Sequence, residues 1–492
     1  MKIIIVGASP AGLAAAMRLR RLDEDAHILV VDERRMVPGL PRAETTYNID
    51  VKMSAAIIWP EDAPEGFAGG KKGNWVAIED KLTGILSKED YDKIIVAYDF
   101  EDANYSPARG SKTSEFTLSS LGDFALQWER VDRYVTDIHP ADAIIYGDDM
   151  VAAVAAGQLL FRGLMVTIVA PDGIVAKDLD FDMACHITAH IEKSGAKIAP
   201  TAGRATAALI IHCVKPQERT MPMYVPAPTS AGDEVRGYGL DTVSRNVFNG
   251  QQVDIPALGP LKGRALAATV AGMRHNARYE TSINLRQYDV YGHHVAIFGL
   301  TEKELNAARL PYIFSVVPVP DGFLKMLYNS KGDILGFLSM GQDALHYANS
   351  MALIARLNCN INDVAEMEMT SVARRLQILG KVGQNVLERR LKMVYWDEVA
   401  ALDMSKTQII DVRPLMVSRG WKIEGSINIP LETLRRNFHK IDPAKEIIVC
   451  CNTGEDSYIA SRILSKKVPN VRHLVGGLYY YREIVARIKS DQ

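Results

Sequence analysis

The strongest constraint on the fold is a pattern of strand, glycine turn, helix and strand that occurs twice in the chain. The first copy consists of the apolar run KIIIV at residues 2–6, the helical segment AGLAAAMRLRRL and a second apolar run, HILVVDE. The second copy begins at residue 143 and reads AIIY, MVAAVAAGQLLFRG and LMVTIVA. Such units predict parallel strands joined by a crossover helix. Two copies therefore predict two doubly wound α/β domains.

Length and composition limit the class of protein. A chain of 492 residues is too long for one core, so three or four domains are expected. The net charge of −2 gives no electrostatic footprint for nucleic acid or an anionic membrane. Five cysteines are too few for a disulfide scaffold, and no stretch approaches the roughly 18 apolar residues of a membrane span. The amino-terminal apolar run is not a signal peptide, because RLRRLDEDAHILVVDE continues the domain pattern. We expect a soluble, cytoplasmic protein.

The remaining segments differ in texture. Residues 215–260 are rich in Pro, Gly and charge, which predicts irregular structure, and residues 61–75 (EDAPEGFAGGKKGNW) predict a loop or hairpin. From residue 281, alternating apolar runs, a hairpin turning at Ser330–Gly332 and the helical segment DALHYANSMALIARL predict an α+β domain. A basic helix then leads to a last segment beginning near Trp396, whose length of about 95 residues is enough for one small α/β domain.

The first glycine turn has the pattern of a dinucleotide site. Gly7, Ser9 and Gly12 occupy the three positions of a G-x-G-x-x-G turn, and Glu33 closes the second strand where a ribose hydroxyl needs an acceptor. A pyrophosphate would lie against the N–H groups that open the helix. Ser9 departs from the pattern, and the alternative is a plain βαβ turn without a ligand. The candidate cofactor-binding residues are Gly7, Ser9, Pro10, Ala11, Gly12, Glu33 and Arg34.

The second glycine turn departs from the pattern at two points. Asp149 holds the second glycine position and would place its carboxylate against the pyrophosphate, and Ala170 stands where a ribose-binding acid is expected. Two like charges about 4 Å apart cost ~1 kcal/mol in water and ~4 kcal/mol at an effective dielectric constant of 20. Gly147 and Ala152 keep the fold signal. This turn therefore predicts the fold without NADH binding.

These segments together resemble the coenzyme A disulfide reductase and NADH oxidase-like flavoproteins that are fused to rhodanese. The phrases AAAMRLRRLDEDAHILVVDER, FTLSSLGDFALQW, FRGLMVTIVA and IDVRP carry the resemblance. It implies FAD in the first domain, NADH in the second and a homodimer formed through residues 281–385. The expected domains are an FAD-binding type at 1–110 (completed by about 241–280), a degenerate NAD-binding type at 111–240, a dimerisation domain at 281–390 and a rhodanese-like domain at 391–492.

The chain departs from that family at functional positions. The family has a redox cysteine before a Gly-Leu-Pro triplet, whereas Pro38 precedes Gly39-Leu40-Pro41 here. The family's Gly-Asp pair, which supports the flavin ribitol, corresponds to Gly250-Gln251. A tyrosine-rich loop offered by the partner subunit is replaced by MEMTSVARRLQ. Together with the altered second turn, these changes indicate a diverged member in which the reductase chemistry is lost or rerouted.

The rhodanese resemblance assigns a role to one of two adjacent cysteines. Matching CCNTGEDS to the rhodanese loop places Cys451 first, with residues 452–456 as the cradle and Ser457 opening the helix. Because side chains alternate along a strand, Cys450 should point into the core. Cys451 is the candidate catalytic residue, and the alternative is an inert, half-buried thiol. Glu455 and Asp456 should repel thiosulfate, so the donor would be a persulfide. Asp411 and Arg413 in IDVRP are expected to pair near the loop.

Three functional hypotheses follow. The chain could be a flavoenzyme that transfers electrons to a sulfur substrate held by Cys451. It could instead be a non-redox sulfur carrier exchanging with small-molecule or protein persulfides and thiols, or a scaffold subunit of a larger complex. A metal site is not expected: His186 and His190 have chelating spacing on one helix, but no third ligand is apparent.

Overall fold

The computed structural model describes residues 1–33, 40–58, 64, 75–97, 114–118, 124–202, 207–213, 237–239, 243–248, 252–254, 258–273, 281–368, 370 and 374–488. These residues form two compact units. The first comprises residues 1–106 with 217–282, and the second comprises residues 107–216 with 283–492. Among the described helices, none has both the length and the apolarity required to cross a bilayer.

A parallel sheet forms the centre of the first unit. The elements of this unit are β1 (Lys2–Val6), α1 (Pro10–Leu22), β2 (His27–Asp32), α2 (Leu40–Tyr47), β3 (Asp50–Met53), β4 (Ala55–Ile58), β5 (Trp75–Asp80), β6 (Leu86–Asp90), β7 (Lys93–Val96), β13 (Gly237–Gly239), β14 (Val243–Asn246), β15 (Gln252–Asp254), α6 (Gly259–Val270) and β16 (Thr281–Ser282). The strand order of the central sheet is β13-β7-β1-β2-β3, and its strands are parallel. The predicted first βαβ unit is therefore confirmed.

Both faces of this sheet are covered, which explains why β1 is apolar without alternation. Ile3 and Ile5 pack with residues of α1 and α6, whereas Ile4 packs with residues of β5. Helix α6 approaches α1 closely, since a Cβ at Gly263 would lie 2.1 Å from the Ala11 carbonyl oxygen. The prediction of irregular structure for residues 215–260 is wrong in part. Strands β13, β14 and β15 lie there, but they are too short to show periodicity in the sequence.

A second parallel sheet begins the second unit. Its elements are β8 (Ser114–Leu118), α3 (Phe124–Ile138), β9 (Asp142–Tyr146), α4 (Met150–Phe161), β10 (Met165–Val169), α5 (Phe181–Lys193), β11 (Lys197–Ala199) and β12 (Leu209–Cys213). The strand order is β11-β10-β9-β12-β8, with all pairs parallel. The second predicted βαβ unit corresponds to β9, α4 and β10.

An antiparallel sheet with helices follows, as the sequence predicts. Its elements are β17 (Arg286–Val290), β18 (His293–Gly299), α7 (Glu302–Ala307), β19 (Ile313–Val319), β20 (Gly322–Tyr328), β21 (Ile334–Gly341), α8 (Ala344–Arg356), α9 (Ile361–Glu366) and α10 (Arg374–Leu387). The strand order is β17-β18-β21-β20-β19. The predicted hairpin is confirmed: β20 and β21 pair antiparallel around the turn that contains Ser330–Gly332.

The carboxyl-terminal segment is a small parallel α/β domain. Its elements are β22 (Met393–Val394), α11 (Trp396–Val399), β23 (Thr407–Asp411), α12 (Leu415–Ser418), β24 (Ile427–Asn428), β25 (Glu446–Cys450), α13 (Glu455–Leu464), β26 (Val471–Leu474) and α14 (Gly477–Ile488). The strand order is β22-β26-β25-β23-β24. Helix α13 begins at Glu455, two residues before the predicted Ser457, because Gly454 adopts a left-handed conformation (φ 94°) and ends the loop there.

Candidate active site in the carboxyl-terminal domain

The two adjacent cysteines lie on opposite faces of the carboxyl-terminal sheet, as predicted. Cys450, the last residue of β25, is fully buried with Val394, Leu474 and other apolar residues of one face. Burial raises the pKa of its thiol well above the ordinary value. Cys451 belongs to the apolar cluster of the other face, together with Ala460 of α13. Strand alternation thus separates a buried thiol from one that faces residues 452–456, which we call the active loop.

Three polar groups surround the sulfur of Cys451. The backbone N–H groups of Gly454 and Ser457 donate to its Sγ atom, with N···S distances of 3.1 and 3.3 Å. The Ser457 hydroxyl oxygen is 3.3 Å from the same sulfur. These amides belong to the N-cap and first turn of α13, so the positive end of the helix also faces the sulfur. The arrangement is suited to a thiolate or to a persulfide anion.

An ion pair between Arg413 and Asp411 contacts the active loop. The Arg413 guanidinium donates two hydrogen bonds to the Asp411 carboxylate through Nε (3.0 Å) and Nη2 (2.7 Å). Its Nη1 donates to the Asn452 side-chain oxygen at 3.1 Å, and Nη2 also donates to the carbonyl of Trp421. The expectation that Asp411 and Arg413 pair near the loop is confirmed. The contact with Asn452, which orients the residue after Cys451, was not foreseen from the sequence.

A second polar contact that the sequence did not reveal involves His473. Its Nδ1 atom is 3.0 Å from the Ser457 hydroxyl oxygen. Burial lowers the pKa of His473 to about 4, so the imidazole is neutral near pH 7. No sign of this contact is visible in the sequence, because His473 lies on β26, 22 residues after Cys451, in an ordinary strand pattern. Because the imidazole is neutral, its Nδ1 atom can accept a hydrogen bond from the Ser457 hydroxyl. The same hydroxyl oxygen remains 3.3 Å from the Cys451 sulfur.

The two acidic residues of the loop have different environments. Glu455 and Asp456 are both exposed in the first turn of α13, where the helix dipole favours carboxylates. The Arg375 Nη1 atom of α10 lies 2.8 Å from the Glu455 carboxylate, so one of the two charges is paired. Asp456 therefore carries the larger part of the predicted repulsion of anionic donors.

The first glycine turn leads into a helix whose N-cap and first turn carry no charged side chain. Gly7 has a φ of 103°, and the Ser9 hydroxyl accepts a hydrogen bond from the Gly12 amide at 3.0 Å. Helix α1 has no acidic residue in its first turn, with Pro10 and Ala11 as its first residues. The acid at the end of β2 is Asp32, which accepts from the Ala8 amide, and Glu33 follows the strand as an exposed residue. Arg34, together with the predicted changes at Pro38, Gly39 and Gly250-Gln251, lies outside the described residues.

Carboxylates occupy the corresponding position of the second turn. Asp149 is the N-cap of α4 and accepts from the Ala152 amide at 3.0 Å, and Asp178 accepts from the Met150 amide at 2.8 Å. Burial and the neighbouring Asp149 raise the pKa of Asp178. Two helix-opening amides that would face a pyrophosphate are thus already bonded to acidic side chains. Ala170 is fully buried.

A buried charge cluster joins the three domains of the second unit. The Lys325 ammonium of β20 contacts Asp180 (3.5 Å), Asp182 (2.6 Å) and Glu302. The Tyr480 hydroxyl of α14 also donates to Asp182. Burial lowers the pKa of Lys325, whereas the three carboxylates raise it. The carboxylates have the larger effect, so the pKa of Lys325 is raised above its ordinary value. The carboxylates have metal-ligand proximity, but Lys325 supplies their cation.

The two histidines with chelating spacing point to different carbonyls. His186 Nε2 lies 3.0 Å from the Tyr480 carbonyl oxygen, and His190 Nε2 lies 3.1 Å from the Val290 carbonyl oxygen. Both side chains thus connect α5 to neighbouring domains.

Comparisons with known proteins agree with this architecture. Residues 1–207 match the model of the pyridine nucleotide-disulphide oxidoreductases, and residues 396–483 match the model of the rhodanese-like domain. A coenzyme A disulfide reductase of Staphylococcus haemolyticus is 25% identical over 202 residues, which are 37% of this chain and 43% of that protein. A homologue in Staphylococcus epidermidis is 25% identical over 206 residues, 39% of this chain and 45% of that protein. The chain thus matches less than half the length of these curated relatives.

Two solved structures share the fold over nearly their whole length. The reduced Bacillus anthracis CoADR-RHD has a TM-score of 0.81 at 20% identity, with 99% of this chain and 98% of that chain covered. The NAD-dependent persulfide reductase from A. fulgidus has a TM-score of 0.78 at 19% identity, with 98% and 100% covered.

The fold and the cysteine loop thus define a two-module protein, with a dinucleotide-type α/β part and a rhodanese-like part. Residues 1–207 are similar to the pyridine nucleotide-disulphide oxidoreductases, and residues 396–483 are similar to the rhodanese-like domain.

Proposed function

We propose that Cys451 accepts a sulfane sulfur atom from a persulfide and passes it to another thiol. The observation that carries this proposal is the pair of amide donors, Gly454 and Ser457, directed at Sγ from the start of α13. An inert structural thiol needs no such donors, as Cys450 illustrates on the other face of the sheet.

The sulfur transfer is balanced without an external oxidant or reductant. The Cys451 thiolate attacks the outer sulfur of a donor persulfide, and a new S–S bond forms. The donor's own S–S bond breaks, and the donor leaves as a thiolate that takes up a proton. In the second half, an acceptor thiolate attacks the outer sulfur on Cys451 and releases the Cys451 thiolate. The two amides stabilise the anionic sulfur in each state.

Mass spectrometry of the intact protein tests this proposal. Wild type, Cys450→Ser and Cys451→Ser are exposed to glutathione persulfide, and the mass added by one sulfur atom is recorded. We expect addition to wild type and Cys450→Ser, and none at this site in Cys451→Ser. Addition that survives in Cys451→Ser and disappears in Cys450→Ser would reverse the assignment. Absence of addition in all three would leave the domain as a binding module, and the scaffold hypothesis would then lead.

A second candidate function is flavin-dependent electron transfer, and the first glycine turn favours it. Its helix starts with a neutral serine cap and without acidic residues, so an FAD pyrophosphate fits the positive end of α1. Gly7, Ser9, Ala11 and Gly12 would hold the phosphates, and Glu33 the ribose. Bound FAD would supply an acceptor and donor of electrons for sulfur reduction.

The acidic second turn bears on the domain that contains β9, α4 and β10. Because Asp149 and Asp178 already accept from the amides of α4, we infer that this domain does not use NADH. The source of electrons for any flavin chemistry would then be another reductant.

A further inference from the structure

A cavity of about 410 Å³ lies beside the active loop. Strand β19, helix α10, the active loop, helix α13 and the residues that follow β26 all contribute to its wall. The apolar part of the wall includes Val316, Val317, Ile378, Val382, Ile459 and Val475. This volume lies within the range of small-molecule pockets, ~300–1,000 Å³, and such pockets are predominantly apolar with few polar groups.

The cavity reaches loop residues that surround the buried Cys451 side chain. Thr453, Gly454 and Gly476 line it, and the Gly454 amide is the group that donates to Sγ. The positive φ of Gly454 (94°) and Gly476 (69°) suits glycine, so these two residues contribute only backbone to the wall. His473, whose Nδ1 meets Ser457, also lines the cavity. The active loop therefore contributes polar atoms to a cavity whose wall is mostly apolar.

Two charged residues line the cavity, and both face solvent. Lys381 and Glu455 are both exposed, and Glu455 is paired with Arg375. Ile459 is 47% exposed although it is a large aliphatic residue next to the active loop. A ligand that covers this side chain would remove apolar surface from water, which is favourable by ~25 cal/mol per Å².

We propose that this cavity binds the organic body of a small thiol or persulfide whose body is uncharged and apolar, with its sulfur at the Gly454 end. This inference rests on the proposed function and specifies its substrate class. The transfer is the one described above: the Cys451 thiolate bonds the outer sulfur, the S–S bond of the donor breaks, and an apolar thiol leaves. A donor with a charged amino acid body would find Lys381 as the one cationic side chain among the described residues of the lining and would otherwise lose hydration against apolar side chains.

Two donors and one unreactive probe test the proposal. The rate of sulfur addition to Cys451 is measured with benzyl persulfide and with cysteine persulfide. Binding of benzyl methyl sulfide, which has no transferable sulfur, is measured by saturation-transfer NMR. The test variant is Ile459→Asp, and the matched control is Met416→Asp, an exposed residue (73%) of the same domain outside the cavity.

We expect wild type to bind the probe and to react faster with benzyl persulfide than with cysteine persulfide. Ile459→Asp should slow the benzyl reaction by about tenfold, the change that ~1.4 kcal/mol of lost apolar contact produces. It should leave the cysteine persulfide rate within about twofold, and Met416→Asp should alter neither rate.

Several results would overturn the inference. Failure of wild type to bind benzyl methyl sulfide at its solubility limit would do so, as would equal slowing of both donors by Ile459→Asp. Failure of the proposed function looks different: no donor adds sulfur to wild type, while benzyl methyl sulfide still binds and Ile459→Asp still weakens that binding.

Discussion

The Ser457 hydroxyl oxygen lies 3.0 Å from His473 Nδ1, and the same oxygen is 3.3 Å from the Cys451 sulfur. The three side chains come from the first turn of α13, from β26 and from the end of β25. The active loop is thus tied to the strand beside it by a buried imidazole that stays neutral near pH 7. The stability of the loop consequently depends on the protonation of His473.

His473 should make the domain less stable in mild acid. Its folded-state pKa is lowered to about 4 by burial, against 6.5 ordinarily, so between these values the unfolded chain binds a proton that the folded chain does not. Stability should therefore fall as the pH drops from about 6.5 to about 4, by up to about 3 kcal/mol. Urea unfolding of wild type and His473→Asn at pH 7 and pH 5 measures this. The variant should lose less stability than wild type between the two pH values, whereas the exposed His439→Asn should behave as wild type.

Lys325 should be required for the stability of the second unit. Lys325→Met removes the only cation that contacts Asp180, Asp182 and Glu302 among the described residues, and it leaves their buried carboxylates uncompensated. Breaking a buried ion pair in this way costs about 3–5 kcal/mol. Chemical denaturation at pH 7 measures the change, with the exposed Lys331→Met as control. A loss below about 1 kcal/mol would show that the carboxylates take up protons at little cost.

Asp456 should limit the use of thiosulfate. Asp456→Arg replaces a carboxylate in the first turn of α13 by a cation. The thiosulfate dianion would then be attracted to this position and no longer repelled by it. The thiosulfate sulfurtransferase rate should rise, with a stability cost of about 0.3–1 kcal/mol because a cation opposes the helix dipole. Glu424→Arg makes the same charge change at another exposed site of the domain. An equal gain in that control would attribute the effect to net charge.

FAD should bind at the first glycine turn. We expect purified protein to take up FAD, with the absorbance of a bound flavin. Glu33→Ala should weaken binding by removing the ribose acceptor, by about 0.5–1.5 kcal/mol for one hydrogen bond. The exposed Glu24→Ala is the matched control. A colourless protein that takes up no added FAD would contradict the prediction.

NADH should not bind usefully to the second turn. Isothermal titration of wild type should show no micromolar affinity, since Asp149 and Asp178 occupy the amides that open α4. The double variant Asp149→Ser, Asp178→Asn keeps two capping oxygens and removes the charges. It should bind NADH more tightly than wild type. Micromolar affinity in wild type, or bleaching of a bound flavin by NADH, would refute the inference.

The sequence by itself predicted the βαβ units and the antiparallel domain, and its resemblance to the rhodanese loop selected Cys451 over Cys450. The first two predictions depend on local periodicity: β1, for example, is apolar throughout because it is buried on both faces. Alternation along β25 separates the two cysteines. Asp149 could also be read directly, because it lies within the second turn itself.

Only the tertiary structure decided which distant side chains meet. Lys325 contacts Asp182 from 143 residues away, and Tyr480 reaches the same carboxylate from 298 residues away. His473, Asp178 and the cavity beside the active loop belong to the same class of feature. Nothing in the local pattern of a strand or loop specifies such partners, because it is the packing of separate elements that brings them together.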